Sequence, residues 1–166
     1  MNLKYKKLTF LALSVSLAMI LSFVESLIPP LAMVPGVKIG LANIVTVFLL
    51  YTLGIRAAGA VSLIRVLLSA LLFGNVQSLI FALSGAILSF VVMIVAKHLL
   101  PFGTVGVSVL GAIAHNAGQI IAAVIVMKTL GVAYYFIPLV ISGTLGGVLV
   151  GIVAAVITKR LEKIIK

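Results

Sequence analysis

Apolar residues run through this chain in long blocks, interrupted only by short polar or Gly/Pro punctuation. Six blocks approach the ~20 residues with which a helix crosses about 30 Å of hydrocarbon. They cover residues 8–28, 39–54, 57–73, 76–96, 105–127 and 134–158. The pattern predicts an all-α integral membrane protein with six transmembrane helices in a single domain over residues 1–166. The second and third blocks are short and parted only by Gly54-Ile55-Arg56. Merging them would leave five spans.

Charge decides between the two counts. The chain carries 12 Lys or Arg against 2 acids, a formal net charge of +10. On a soluble protein that surplus would suggest a nucleic-acid surface. Here 64% of the residues are hydrophobic and 8% charged, against about 25% charged in soluble domains. Basic residues of membrane proteins collect on the cytoplasmic side. With six spans and the N-terminus inside, the inner segments hold Lys4, Lys6, Lys7, Arg56, Lys97, Lys159, Arg160, Lys163 and Lys166. The outer segments hold only Lys38 and Lys128. Six spans with both termini cytoplasmic satisfy the rule, whereas five would put the basic tail outside. The basic surplus therefore meets anionic lipid at helix ends rather than nucleic acid. The N-terminal block is read as an uncleaved helix: its apolar stretch is long for a signal peptide and no small-x-small site follows.

Both acids are glutamate, and there is no Asp or Cys. Aspartate-held Mg²⁺, thiolate zinc and disulfides are thereby excluded. No metal site and no cofactor are expected.

Small residues recur every fourth position in four blocks, the spacing that lets membrane helices approach closely. They are Ser14, Ala18, Ser22 and Ser26; Ser78, Ala82 and Ala86; Gly111, Ala114, Gly118 and Ala122; and Gly143, Gly147 and Gly151, with Gly146 beside them. Such stripes serve internal packing or docking of another membrane subunit. Ser14, Ala18 and Ser22 of the first block are the best candidates for docking.

Polar groups at membrane depth are expensive, about 2.5–3.5 kcal/mol for Arg on insertion scales, and mark functional sites by default. Arg65 is central in the third block, with Ser62 and Ser69 on its face. His115 is central in the fifth, with Asn116 adjacent and Gln119 one turn on. Glu25 closes the first block, and Pro29-Pro30 and Pro35-Gly36 shape a loop that ends at Lys38, with Asn43 soon after. Asn75 and Gln77 mark the turn between the third and fourth blocks. Together Glu25, Lys38, Asn43, Arg65, Asn75, Gln77, His115, Asn116 and Gln119 converge on the outer half, while the inner half is almost bare of polar groups. This describes an outward-facing pocket with apolar walls. Its cationic balance suits a carboxylate or phosphate, with Arg65 the main anion partner.

The strings Glu25-Ser26-Leu27-Ile28-Pro29-Pro30, Pro35-Gly36-Val37-Lys38-Ile39-Gly40-Leu41-Ala42-Asn43-Ile44, Arg65-Val66-Leu67-Leu68, Leu72-Phe73-Gly74 and His115-Asn116-Ala117-Gly118-Gln119 resemble the Gx transporter family. That family is also labelled heptaprenyl diphosphate synthase component I. The resemblance covers about residues 8–158. It implies a six-helix bundle similar to the substrate-binding S components of energy-coupling factor transporters, which capture micronutrients from outside the bacterial plasma membrane. A coupling membrane subunit and cytoplasmic ATPases then drive uptake. By the same resemblance the loop up to Lys38 is a lid, and the first helix's stripe is a docking face. S components often carry Ala-xxx-Ala there, where this chain has Ser14-xxx-Ala18-xxx-Ser22.

The expectation is a binding component for uptake of a small anionic micronutrient or cofactor precursor. The alternative is a non-catalytic accessory subunit of prenyl diphosphate or quinone synthesis. A chain without Asp cannot build the Mg²⁺-binding clusters of a prenyl synthase, so self-sufficient catalysis is not expected. It also lacks a phosphate-binding Gly-rich loop with Lys, so energy must come from elsewhere.

Overall fold

The computed structural model describes residues 3–27, 39–100 and 102–165, and among them it is all-helical. In chain order the elements are α1 (Leu3–Leu27), α2 (Asn43–Thr52), α3 (Ile55–Phe73), α4 (Val76–His98), α5 (Thr104–Met127), a 3₁₀ turn (Leu130–Tyr135) and α6 (Phe136–Ile165). Five of these helices are long and apolar enough to cross a membrane.

The expected span over 39–54 is the exception. Helix α2 has 10 residues, which at about 1.5 Å per residue reach roughly 15 Å, half a hydrocarbon layer. Glycines set both of its ends. Gly40 has φ +82°, a left-handed conformation that side chains disfavour. Its carbonyl accepts the Asn43 N–H at 2.8 Å, starting the helix late. At the other end Gly54 (φ +87°) reverses the chain into α3, while its N–H donates to the Leu49 carbonyl at 3.0 Å. Between these ends every residue from Val45 to Leu50 is buried. The largely apolar character of 39–54 therefore reflects the enclosure of Val45–Leu50 within the bundle, not length.

Helix α2 is the centre of a dry core formed with Ala18, Ala58, Val61, Met93, Ala96, Val107 and Ala154. Phe10 packs on Phe48 with ring centroids 6.3 Å apart. Phe10 and Leu11 of α1 and Ile157 and Leu161 of α6 all pack on this cluster, so the start of α1 and the end of α6 lie at the same end of the bundle. There Lys97 donates to the Leu50 carbonyl at 2.6 Å and sits 4.7 Å from the centre of the Tyr51 ring. The Tyr51 hydroxyl donates to the Phe102 carbonyl at 3.0 Å. A cation thus meets the negative end of α2 and ties it to the α4–α5 turn.

The glycine-bearing stripes of α5 and α6 pack inward. A Cβ on Gly118 would lie 2.6 Å from the Ser84 carbonyl oxygen, and one on Gly147 or Gly151 would lie 2.7 Å from Val109 Cα or 2.6 Å from Val105 Cα. Helices α4, α5 and α6 therefore touch backbone to backbone. The α1 stripe is turned inward as well. Ser14 (7% exposed) and Ala18 (2%) are buried, and Ser22 Oγ is fully enclosed. The expected docking face of Ser14, Ala18 and Ser22 is thus already covered by the bundle's own helices. The open face of α1 presents Leu13, Leu17 and Ile20 instead.

Candidate ligand-binding cavity

At the opposite end from the dry core, the helices part around a cavity of about 380 Å³. Its position follows from the lateness of α2. Where a full-length second helix would fill the bundle, the chain enters as Ile39 and Gly40, leaving space above Asn43. The far end of α1 supplies Ser22, Glu25 and Ser26; α3 supplies Arg65, Val66, Ser69, Ala70 and Phe73; α4 begins at the rim with Asn75, Ser78 and Ala82. Helix α5 contributes Ala112, His115, Asn116 and Gln119, and α6 contributes Gly143.

Seven of the nine expected site residues line this space: Glu25, Asn43, Arg65, Asn75, His115, Asn116 and Gln119. The other two stand differently. Lys38 lies outside the described residues. Gln77 is exposed and absent from the lining. Helical rotation explains it: Ser78 and Ala82, four apart, share the cavity face, and Gln77 stands one position, about 100°, off it.

Asn75 is present mainly as a cap. Its Oδ1 accepts the Ser78 N–H at 2.8 Å, and Ser78 Oγ accepts the Asn75 N–H at 2.9 Å, a reciprocal capping box that starts α4. Glu25 accepts the backbone N–H of Gly40, so α1 holds the chain just before α2. Ser69 Oγ reaches Met19 Sδ at 3.5 Å, and the Phe23 and Phe73 rings lie 5.3 Å apart, joining α1 to α3.

Arg65 stands apart. Its Nε is buried with no hydrogen-bond partner, and the carboxylate of Glu25 is the charge that acts on it. Leaving a buried donor unmade costs roughly 1–3 kcal/mol, more for a charged group. Proteins retain such a group where something else completes it. Ser22 Oγ, also at the cavity wall, is likewise buried and unsatisfied.

Besides the serines Ser22, Ser26, Ser69 and Ser78, the predicted ligand set lacks two glycines that shape the cavity. Gly40 was read only as part of a loop string, yet its N–H engages Glu25. Gly143 was read only as packing, yet a Cβ there would lie 2.7 Å from Asn116 Nδ2. The signal was present in the second case, since a stripe of glycines on α6 must face something close.

Chemically the cavity offers a guanidinium, a carboxylate already engaged by a backbone donor, an imidazole, amides and hydroxyls, set among Val66, Ala70, Phe73, Ala82 and Ala112. Among the described residues no group of three or more His, Cys, Asp or Glu side chains is arranged to hold a metal ion. The volume lies at the lower end of the ~300–1,000 Å³ typical of small-molecule pockets. Neither a curated protein nor a solved structure shows a significant match to the chain. Residues 14–157 match the family described as heptaprenyl diphosphate synthase component I, and the chain belongs to that family.

Proposed function

We propose that this protein is the substrate-binding membrane component of an uptake system for a small anionic micronutrient or cofactor precursor. The observation that carries the reading is the unpartnered Arg65 Nε at the wall of a 380 Å³ cavity of mixed polar and apolar lining. A carboxylate or phosphate entering there completes the guanidinium's hydrogen bonds in a low-dielectric site, where a charge-assisted pair is strongest. The positive-inside rule puts the basic ends of α1 and α6 in the cytoplasm, which opens the cavity to the outside of a bacterial plasma membrane. The dry core closes the inner half, so release on the cytoplasmic side requires a rearrangement driven by a partner. A coupling membrane subunit with cytoplasmic ATPases fills that role.

The family description favours a second reading, a non-catalytic partner of a prenyl diphosphate synthase. Size weighs against the cavity as a prenyl site. At about 380 Å³ it lies at the lower end of pockets that enclose drug-sized ligands, and a 35-carbon heptaprenyl chain is larger than such ligands.

Purification in mild detergent followed by native mass spectrometry separates the two. The uptake reading predicts a retained small anion and co-purifying ATPase-type subunits. A prenyl synthase in the complex, with an empty cavity across repeated preparations, contradicts it.

A further inference from the structure

Asn116 is nine-tenths buried (8% exposed) at the cavity wall. Its Nδ2 donates to the Leu139 carbonyl of α6 at 2.6 Å. A carbonyl only accepts, so this contact admits the amide in one orientation. The Nδ2 side is pressed against α6, where the absence of a side chain at Gly143 makes room for it: a Cβ there would come within 2.7 Å of Nδ2. Oδ1 is thereby turned away from α6. Among the described residues no group is seen to donate to it, and it is not among the fully enclosed unpartnered atoms. Its open side is the cavity.

We infer that Asn116 is a specificity-determining residue, fixed by Leu139 and Gly143 as a hydrogen-bond acceptor, and that the ligand is an anion bearing an O–H or N–H donor separate from its anionic group. The inference rests on the uptake reading and narrows its substrate class. Arg65 takes the acid; Asn116 reads the donor. A ligand lacking the donor leaves Oδ1 desolvated and unpaired, which at 1–3 kcal/mol corresponds to roughly a 5- to 150-fold loss. Prenyl diphosphates, whose chains carry no such donor, are disfavoured by the same group.

The test uses full-length protein in mild detergent and a panel of small carboxylates and phosphate monoesters arranged in pairs. One member of each pair bears an O–H or N–H; in its twin that group is replaced by hydrogen or methyl. Competition read by native mass spectrometry is expected to show that the wild type prefers the donor-bearing member of its bound pairs by about 10-fold. Asn116→Leu removes the preference. Gly143→Ala, whose new methyl displaces the amide while adding a good helix former, reduces it by the same route without touching the polar group itself. Preference surviving in Asn116→Leu, or a wild type that binds panel anions without preference, overturns the inference and leaves the uptake reading standing. A folded wild type that binds no member of the panel overturns both.

Discussion

The two ends of this bundle are built on opposite principles. Around α2 the chain is closed by packing: Val47, Leu49, Leu50 and Ala58 are fully enclosed, Lys97 is completed by the Leu50 carbonyl and the Tyr51 ring, and the buried unpartnered atoms away from the cavity, Ser89 Oγ and Thr158 Oγ1, are uncharged hydroxyls. Around the cavity it leaves polar groups unfinished, with Arg65 Nε and Ser22 Oγ buried and unpartnered. The first region optimises packing. The second carries an unfavourable term that only an added molecule removes, as expected where binding rather than stability is selected.

That contrast makes substitutions at the two ends behave differently. Arg65→Ala has the largest expected effect on binding: loss of anion retention by at least about 100-fold, roughly 2.7 kcal/mol for the charge-assisted pair. Thermal unfolding of the ligand-free protein should move up or stay level, because an uncompensated buried donor has gone. A large fall in melting temperature would mean that Arg65 is structural. Leu49→Ala is expected to do the reverse. Removing a fully buried leucine should destabilise by about 2–5 kcal/mol through the space left behind, seen as an earlier unfolding transition with anion affinity unchanged in the folded fraction. Smaller again, Lys97→Met should cost about 1 kcal/mol by losing the cap and ring contact at the end of α2, measurable as a lower denaturation midpoint with no change in binding. Gln77→Ala, exposed and off the cavity face, should stay within about 0.5 kcal/mol in stability and bind as the wild type does. A binding defect there would redraw the rim.

The two ends were also unequally legible in the sequence. Polar residues announce themselves in an apolar chain, so Arg65, His115, Asn116 and Gln119 could be placed at one depth from span positions and helical spacing alone. Length was less readable. Residues 39–54 look like a span because an apolar run registers burial without saying whether lipid or protein surrounds it. The two glycines that shorten α2 act through φ, which composition does not display. The stripe of Ser14, Ala18 and Ser22 is ambiguous for a related reason. Small residues every fourth position mark a close approach, but the approaching partner here is the rest of the same bundle. Gln77 shows the limit of turn-based reasoning, since one residue's rotation separates the rim from the outer surface.

The central claim is that Arg65 is unfinished because a ligand finishes it. Native mass spectrometry of wild type and Arg65→Ala, purified side by side from the same cells in mild detergent, tests this directly. The account predicts a small anion retained by the wild type and absent from a folded Arg65→Ala. Equal occupancy in the two proteins would contradict it.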